Sequence, residues 1–168
     1  PLATPTRSTS AKPSSARTPR AAFTWPFPPS ISTRSGTTPS PRATFPDHLV
    51  DLKLALRWIR AHVGEYGGDP DFVAVTGGSA GGHLSALLAL TANDPRFQPG
   101  FEDVDTRVRA CVPFYGIYDL ANRFGHPHWS GIERFWRLVV LKRRFADDPQ
   151  AFRDASPAEH VRPDAPPF

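Results

Sequence analysis

The first periodic stretch of the chain lies between a proline and a glycine-rich turn. Its apolar residues recur at three- and four-residue steps: Leu49, Leu52, Leu56, Ile59 and Val63. This spacing predicts an amphipathic helix of about five turns that packs on one face. Asp47 follows the proline and is a candidate N-terminal cap, and the run Gly67-Gly68-Asp69-Pro70 predicts where the helix ends.

Short apolar runs alternate with helical patterns along the rest of the chain. Residues 72–76 and 108–114 are short and mostly apolar, which predicts strands that are buried on both faces, and residues 166–168 begin another. The predicted helices cover three further ranges: 80–92, 132–141 and a short one after Ser156. This alternation is typical of a mostly parallel sheet flanked by helices, so the predicted fold class is α/β.

Individual side chains in these later helices also have predicted places. In the helix over 132–141, Trp136, Leu138 and Val139 are expected to face the core. Ser156 is a candidate cap for the last helix, because Pro157 suits the first helical position.

The N-terminal segment differs in composition from the rest of the chain. Residues 1–42 hold six basic residues and no acidic one, and 25 of them are Pro, Ser or Thr. The net charge of +4 therefore comes from this segment, since residues 43–168 carry −2. The charge thus gives no support for nucleic-acid binding by the folded part. We expect residues 1–39 to be a disordered low-complexity segment and residues 40–168 to form the domain.

The composition excludes several classes of protein. A single cysteine, Cys111, excludes an intrachain disulfide and a multi-cysteine zinc site. No apolar run reaches the length of a membrane span and no secretory signal is visible, so a cytoplasmic location is the default expectation. The chain has no methionine, even at position 1, which predicts a processed or partial product.

The motif that carries chemistry lies inside FVAVTGGSAGGHLSALLAL, residues 72–90. Gly77-Gly78-Ser79-Ala80-Gly81 is a G-x-S-x-G between a predicted strand and a predicted helix, the context of a nucleophile elbow. We expect a strained backbone and an exposed hydroxyl at Ser79, with the Ala80 amide directed at a developing oxyanion. Gly77 and Gly81 are expected to flank the seryl side chain so closely that Gly81→Val would clash.

A glycine-rich turn without chemistry, or one that holds a phosphate, is the alternative interpretation of this motif. The run from Gly77 to Gly82 lacks the lysine of a Walker loop and the spacing of a dinucleotide-binding fingerprint. The order of strand, turn and helix therefore favours the nucleophile elbow.

From Ser40 to Phe168 the sequence resembles the hormone-sensitive-lipase-like group of α/β-hydrolase esterases and lipases. The resemblance rests on the segment leading through Ser79, on VPFYGIYDL and on SPAEHVRPDAPPF. It implies a partial α/β-hydrolase fold in which Ser79 forms an acyl-enzyme and the Ala80 amide stabilises the oxyanion. The chain departs from the group at Gly78, where the lipase-like members often have Asp.

The resemblance also implies parts that this sequence lacks. No His-Gly-Gly-Gly run, which would complete the oxyanion hole, occurs in residues 1–76, and the Pro/Ser/Thr-rich segment occupies its place. Out-of-frame translation is therefore favoured for residues 1–39 over a transit peptide or a basic interaction arm. The triad acid and histidine are expected after Phe168, so that this chain alone is expected to be inactive. Asp119 resembles a family residue outside the triad.

No histidine of this chain matches the position of the family's general base. The expected places are local packing for His83 and the protein surface for His48, His62 and His160. His126 and His128 form a loop pair without the third protein ligand of a catalytic zinc site.

We therefore expect a serine hydrolase that acts on small-molecule carboxylic esters without a metal, an organic cofactor or a nucleic-acid partner. An amidase, an arylformamidase or a peptidase would use the same elbow, and a catalytically silent truncated α/β-hydrolase is a further alternative. Phe114, Tyr115, Tyr118 and the segment 120–150 are candidates for an apolar acyl pocket, or equally for ordinary packing. The sequence predicts no oligomeric state.

Overall fold

The computed structural model describes residues 43–168, so the predicted low-complexity segment 1–39 lies outside the described residues. The described part contains these elements in order: α1 (Asp47–His62), β1 (Ala74–Gly78), α2 (Ala80–Leu90), β2 (Ala110–Phe114), α3 (Trp129–Val139) and α4 (Pro149–Asp154). Short 3₁₀ turns occupy Val63–Tyr66, Pro95–Phe97 and Pro157–His160. Within residues 43–168, no helix is both long and apolar enough to cross a membrane.

The two strands form a parallel pair that α2 connects. Their register runs from Ala74 opposite Ala110 to Gly78 opposite Phe114. The amide of Cys111 in β2 donates a hydrogen bond of 2.9 Å to the carbonyl of Pro167, so the last residues lie beside β2. This strand–helix–strand unit with flanking helices confirms the predicted α/β class.

Two apolar clusters hold the elements together. The first lies between the sheet, α1 and α2 and includes Leu49, Leu56, Leu87, Leu88, Ala89, Phe97, Val108 and Cys111. The second lies around α3 and α4 and includes Leu120, Trp136, Leu141, Phe152 and Ala155. Phe45 packs against both clusters, so the chain before α1 connects them.

The prediction that both strands are buried on two faces was wrong. In β1, Ala74 and Thr76 are exposed, whereas Val75 is half-buried against the first cluster. In β2, Val112 is 49% exposed and Phe114 is 53% exposed. One face of the pair packs on α1 and α2, and the other face stays open in the described part of the chain.

The start of α1 also differs from the prediction. The N-cap residue is Pro46, and Asp47 is the first helical residue rather than the cap. The Asp47 carboxylate instead accepts a hydrogen bond of 3.1 Å from the Thr44 amide. The aspartate therefore closes the turn before the helix.

Lys53 is the buried residue of α1 that the apolar pattern did not predict. Its side chain is fully buried, and its ammonium group donates to the Thr91 carbonyl and, at 3.2 Å, to Oε1 of Gln98. Burial lowers the pKa of Lys53 to about 8. The lysine ties α1 to the loop that follows α2.

In the second half of the chain, one predicted side-chain position is confirmed and two are wrong. Trp136 is buried as predicted, but Leu138 is 57% exposed because it lies on the outer face of α3. Ser156 precedes a 3₁₀ turn without capping it. Its hydroxyl instead donates to the Phe152 carbonyl and accepts from the Leu120 amide, both at 2.8 Å.

Candidate active site

Ser79 is the only residue between β1 and α2. Its backbone has φ of 53° and ψ of −119°, and the residue is exposed. A positive φ is uncommon for a residue with a Cβ, and such strain often occurs at functional sites. The expected positive φ at Ser79 is thus observed. Within residues 43–168, its hydroxyl has no hydrogen-bond partner.

Backbone hydrogen bonds on both sides hold this turn in place. The Ser79 amide donates to the Phe114 carbonyl at 3.0 Å, and the Ser79 carbonyl accepts from the His83 amide at 3.1 Å. Ala80 is the first residue of α2, where amides lack an intrahelical acceptor. The helix dipole makes this end of α2 favourable for negative charge beside the Ser79 hydroxyl.

The two outer glycines of the motif have different surroundings. A Cβ atom on Gly77 would lie 2.6 Å from both the carbonyl carbon and the oxygen of Gly81. A Cβ atom on Gly81 would meet nothing within 4 Å among the described residues. The expectation that Gly81 closely flanks the seryl side chain was therefore wrong, and the clash of Gly81→Val stays a prediction. A side chain is excluded at Gly77, because the first turn of α2 lies directly on the end of β1.

Gly78 provides space for an aromatic side chain from the neighbouring strand. A Cβ atom on Gly78 would lie 2.5 Å from the hydroxyl oxygen of Tyr115 and 2.8 Å from its Cζ. Tyr115 directly follows β2, has φ of 39° and is 80% exposed. Sequence reasoning gave Tyr115 only a general place in an acyl pocket and missed this contact beside Ser79.

His83 packs locally, as expected, one turn into α2. Its Nε2 donates to the Ala155 carbonyl at 2.7 Å, and its ring lies edge-on to Trp136 with centroids 4.7 Å apart. Burial lowers the pKa of His83 to about 4, so the imidazole is neutral at pH 7. The side chain links α2 to the end of α4 and does not serve Ser79 as a base.

The other candidate side chains also have partners away from Ser79. His62 Nδ1 lies 2.9 Å from the Trp58 carbonyl, and His160 Nε2 lies 2.9 Å from the Asp154 carbonyl. The Asp119 carboxylate accepts the Arg123 and Phe124 amides at 2.9 Å each. Asp119 therefore organises the loop after β2.

The loop pair His126 and His128 forms a local contact. The ring Nδ1 of His126 accepts a hydrogen bond of 3.2 Å from the His128 amide. In the described ranges, no group of three His, Cys, Asp or Glu side chains is arranged to hold a metal ion.

The remaining aromatic candidates for an acyl pocket differ in how far they are exposed. Phe114 is 53% exposed at the end of β2, beside Gly78 in the register. Tyr118 is half-buried, and its hydroxyl accepts the Gly116 amide at 3.0 Å. Trp136, from the segment 120–150, is buried in the second cluster. Phe114 and Tyr115 are therefore the exposed aromatic residues next to the elbow.

Comparison with known proteins identifies the family. A family model described as BD-FAE matches residues 34–168, which include every residue that the structure describes. The chain belongs to the BD-FAE family. Its membership confirms the resemblance to α/β-hydrolase esterases that the Ser79 segment predicted.

Curated relatives of this BD-FAE chain include mycobacterial esterases. The chain is 59% identical over 129 residues to the probable carboxylic ester hydrolase LipM of Mycobacterium tuberculosis, covering 77% of the chain and 30% of LipM. It is 50% identical over 129 residues to esterase LipQ of the same organism, with the same coverage. The chain thus spans about 30% of the length of these relatives.

Solved structures similar to the BD-FAE chain are also esterases. A truncated carbohydrate esterase from gut microbiota superposes with a TM-score of 0.58 at 24% identity, over 74% of this chain and 48% of that one. Thermogutta terrifontis esterase 2 superposes with a TM-score of 0.57 at 25% identity, over 75% of this chain and 43% of that one. These likenesses confirm the α/β-hydrolase fold.

Proposed function

We propose that this chain carries the nucleophile of a carboxylic ester hydrolase, and that the nucleophile is Ser79. The observation that carries the proposal is the positive φ of Ser79, which presents its unpartnered hydroxyl between β1 and the N-terminus of α2. The names of the relatives support the same reaction, since LipM is a probable carboxylic ester hydrolase and LipQ an esterase.

The proposed reaction is acyl transfer through a covalent intermediate. The Ser79 Oγ attacks the ester carbonyl while a general base takes its proton, and the carbonyl oxygen becomes an oxyanion. The Ala80 amide donates to that oxyanion. Collapse breaks the bond to the alkoxy oxygen, which takes the proton from the general base and leaves as the neutral alcohol. Water, deprotonated by the same base, then hydrolyses the acyl-enzyme. These steps require no metal or organic cofactor.

We also propose that the general base and its acid partner lie outside this chain. The support is that His62, His83 and His160 each hydrogen-bond to a backbone carbonyl elsewhere. Without the base, kcat falls by about 10⁶-fold in a well-characterised triad. The 168-residue chain alone is therefore expected to turn over p-nitrophenyl esters very slowly. Fast turnover that Ser79→Ala abolishes would instead place the base within the chain.

The substrate is proposed to be a small-molecule ester, and reaction with an organophosphorus fluoride tests the nucleophile directly. Thermogutta terrifontis esterase 2 has been seen phosphonylated by sarin, which supports this choice of probe. The experiment uses a protein that contains this chain together with the proposed base and acid, called the full-length protein below. Its Ser79 Oγ would lose a proton and form a bond to phosphorus as fluoride leaves, adding one phosphonyl group to the mass.

The labelling experiment compares three proteins by intact mass and peptide mapping. Wild type and Ser130→Ala are expected to gain one phosphonyl group, because Ser130 is an exposed residue of α3. Ser79→Ala is expected to gain none and to lose hydrolysis of p-nitrophenyl butyrate. Unchanged labelling or hydrolysis in Ser79→Ala would overturn the proposal.

A further inference from the structure

The two parallel strands end side by side, and the residue after each of them has a positive φ. Gly78 and Phe114 face each other in the register, and the Ser79 amide donates to the Phe114 carbonyl at 3.0 Å. The residues that follow the strands, Ser79 and Tyr115, therefore leave the sheet as neighbours. Their φ angles are 53° and 39°, so both are held in the region that residues with a Cβ seldom adopt.

The side chain of Tyr115 turns back across the end of β1. Its hydroxyl oxygen lies so close to Gly78 that a Cβ atom there would be 2.5 Å away. Gly78 is the residue directly before Ser79, and only the missing side chain at this position lets the phenol approach. The phenol therefore lies over Gly78, the residue before the serine, although it extends from the neighbouring strand.

Packing among the described residues does not explain this conformation of Tyr115. The side chain is 80% exposed, so it buries little apolar surface in return for its strained φ. Within the described residues its hydroxyl has no hydrogen-bond partner, whereas the Tyr118 hydroxyl accepts the Gly116 amide. Tyr115 thus presents an unused donor and acceptor over Gly78, the residue before the proposed nucleophile.

We propose that Tyr115 is a specificity-determining residue whose hydroxyl donates a hydrogen bond to an oxygen atom of the bound ester outside its reacting carboxyl group. This inference rests on the proposed function of Ser79. It predicts a preference for esters with an ether or hydroxyl oxygen close to the carbonyl over alkyl esters of the same shape. A site that hydrogen-bonds to a substrate oxygen discriminates against the analogue lacking it.

Isosteric ester pairs measure this preference in the full-length protein. On the acyl side, p-nitrophenyl methoxyacetate is compared with p-nitrophenyl butyrate, and on the alcohol side 2-methoxyethyl acetate with butyl acetate. The ratio of kcat/KM within a pair, compared between variants, cancels the intrinsic reactivity of the esters. In Tyr115→Phe, this ratio is expected to fall about 2- to 10-fold for at least one pair, which is the effect of one lost hydrogen bond. The fall is expected to come from a higher KM for the oxygen-containing ester of that pair.

The control is Tyr66→Phe, because Tyr66 is an exposed tyrosine in the 3₁₀ turn that precedes β1, whereas the elbow follows the other end of that strand. This variant is expected to leave all ratios unchanged. If Tyr115→Phe also leaves both ratios unchanged while Ser79→Ala abolishes hydrolysis, the role of Tyr115 is overturned and the proposed function stands.

A binding measurement tests the contact without turnover. In Ser79→Ala protein labelled with ¹³C at tyrosine Cζ, the Tyr115 resonance is assigned by its absence in Tyr115→Phe. Adding p-nitrophenyl methoxyacetate is expected to shift this resonance and to leave that of Tyr66 in place. A shift in Ser79→Ala, together with a wild type that hydrolyses no ester, would refute the proposed function alone. The absence of a shift would overturn the role of Tyr115.

Discussion

Two alanine substitutions in the Ser79 motif are expected to change stability in opposite directions. In Gly77→Ala the new Cβ would lie 2.6 Å from the carbonyl carbon and oxygen of Gly81 and 2.9 Å from its Cα. Carbon atoms normally approach to about 3.5 Å, so the overlap is close to 1 Å and involves backbone on both sides. Only a shift of α2 away from β1 can relieve it. We expect Gly77→Ala to lower the free energy of unfolding by about 2–3 kcal/mol.

Gly81→Ala is the matched control from the same motif. Its Cβ would meet nothing within 4 Å in the described part of the chain, and the residue lies in the first turn of α2. Alanine is favoured over glycine in a helix by about 0.5–1 kcal/mol, so this variant is expected to be slightly more stable than wild type. The two variants should therefore differ by about 3 kcal/mol.

Urea unfolding followed by circular dichroism at 222 nm measures both effects. The comparison is independent of catalysis, because it reports the packing of α2 on β1. If Gly77→Ala is as stable as wild type, the first turn of α2 does not lie against the end of β1. If Gly81→Ala loses as much stability as Gly77→Ala, an added side chain at Gly81 does not have the room that the structure shows.

Three further measurements follow from buried ionisable groups. The pKa of His83 is about 4 in the folded chain rather than 6.5, so the unfolded chain takes up the proton first as the pH falls. The free energy of unfolding of wild type relative to His83→Gln is therefore expected to fall by about 3 kcal/mol between pH 6.5 and pH 4. A constant difference in urea midpoint would contradict this. The pKa of Lys53 is about 8 in the folded chain rather than 10.5, so the folded chain loses the proton first as the pH rises. The free energy of unfolding of wild type relative to Lys53→Met is therefore expected to rise between pH 8 and pH 10.5. A constant difference in thermal midpoint over that range would refute this. Burial raises the pKa of Cys111 to about 11, so iodoacetamide at pH 8 is expected to alkylate it slowly in the folded chain and rapidly in urea, and equal rates by mass spectrometry would show that the thiol is accessible.

The parts of the site that the sequence predicts are those encoded locally. Ser79 lies between an apolar run and a helical run, and the small number of residues between them requires a tight turn. The positive φ at Ser79 could therefore be predicted without knowing any distant contact. The α/β class followed in the same way, from the alternation of helices and strands along the chain.

The features that sequence reasoning missed depend on distant contacts. Tyr115 lies over Gly78 only because the parallel register brings the ends of β1 and β2 together. Lys53 is buried because its ammonium group meets partners 38 and 45 residues away in the chain. An apolar run such as that of β1 indicates a strand, but how many of its faces are covered depends on which other segments pack there.

The role of Gly81 was misjudged for a related reason. The spacing of the motif suggests that both outer glycines make room for Ser79, and it cannot distinguish the inner from the outer side of the first turn of α2. The structure places Gly77 on the inner side, against backbone, and Gly81 on the outer side. The orientation of the helix on the strand decides which glycine is required.

The close approach of α2 to both strands has a consequence for engineering this protein. A Cβ atom on Gly82 would overlap the Phe114 carbonyl oxygen, and one on Gly116 would lie 2.6 Å from the His83 amide nitrogen. At Gly82 the nearest atoms are all backbone, and at Gly116 the Tyr118 ring lies 2.8 Å from the added Cβ beside the backbone of α2, so little can repack around a substitution. A mutagenesis library should therefore keep Gly77, Gly82 and Gly116 invariant and place its diversity at Gly81, where an added Cβ meets nothing within 4 Å among the described residues.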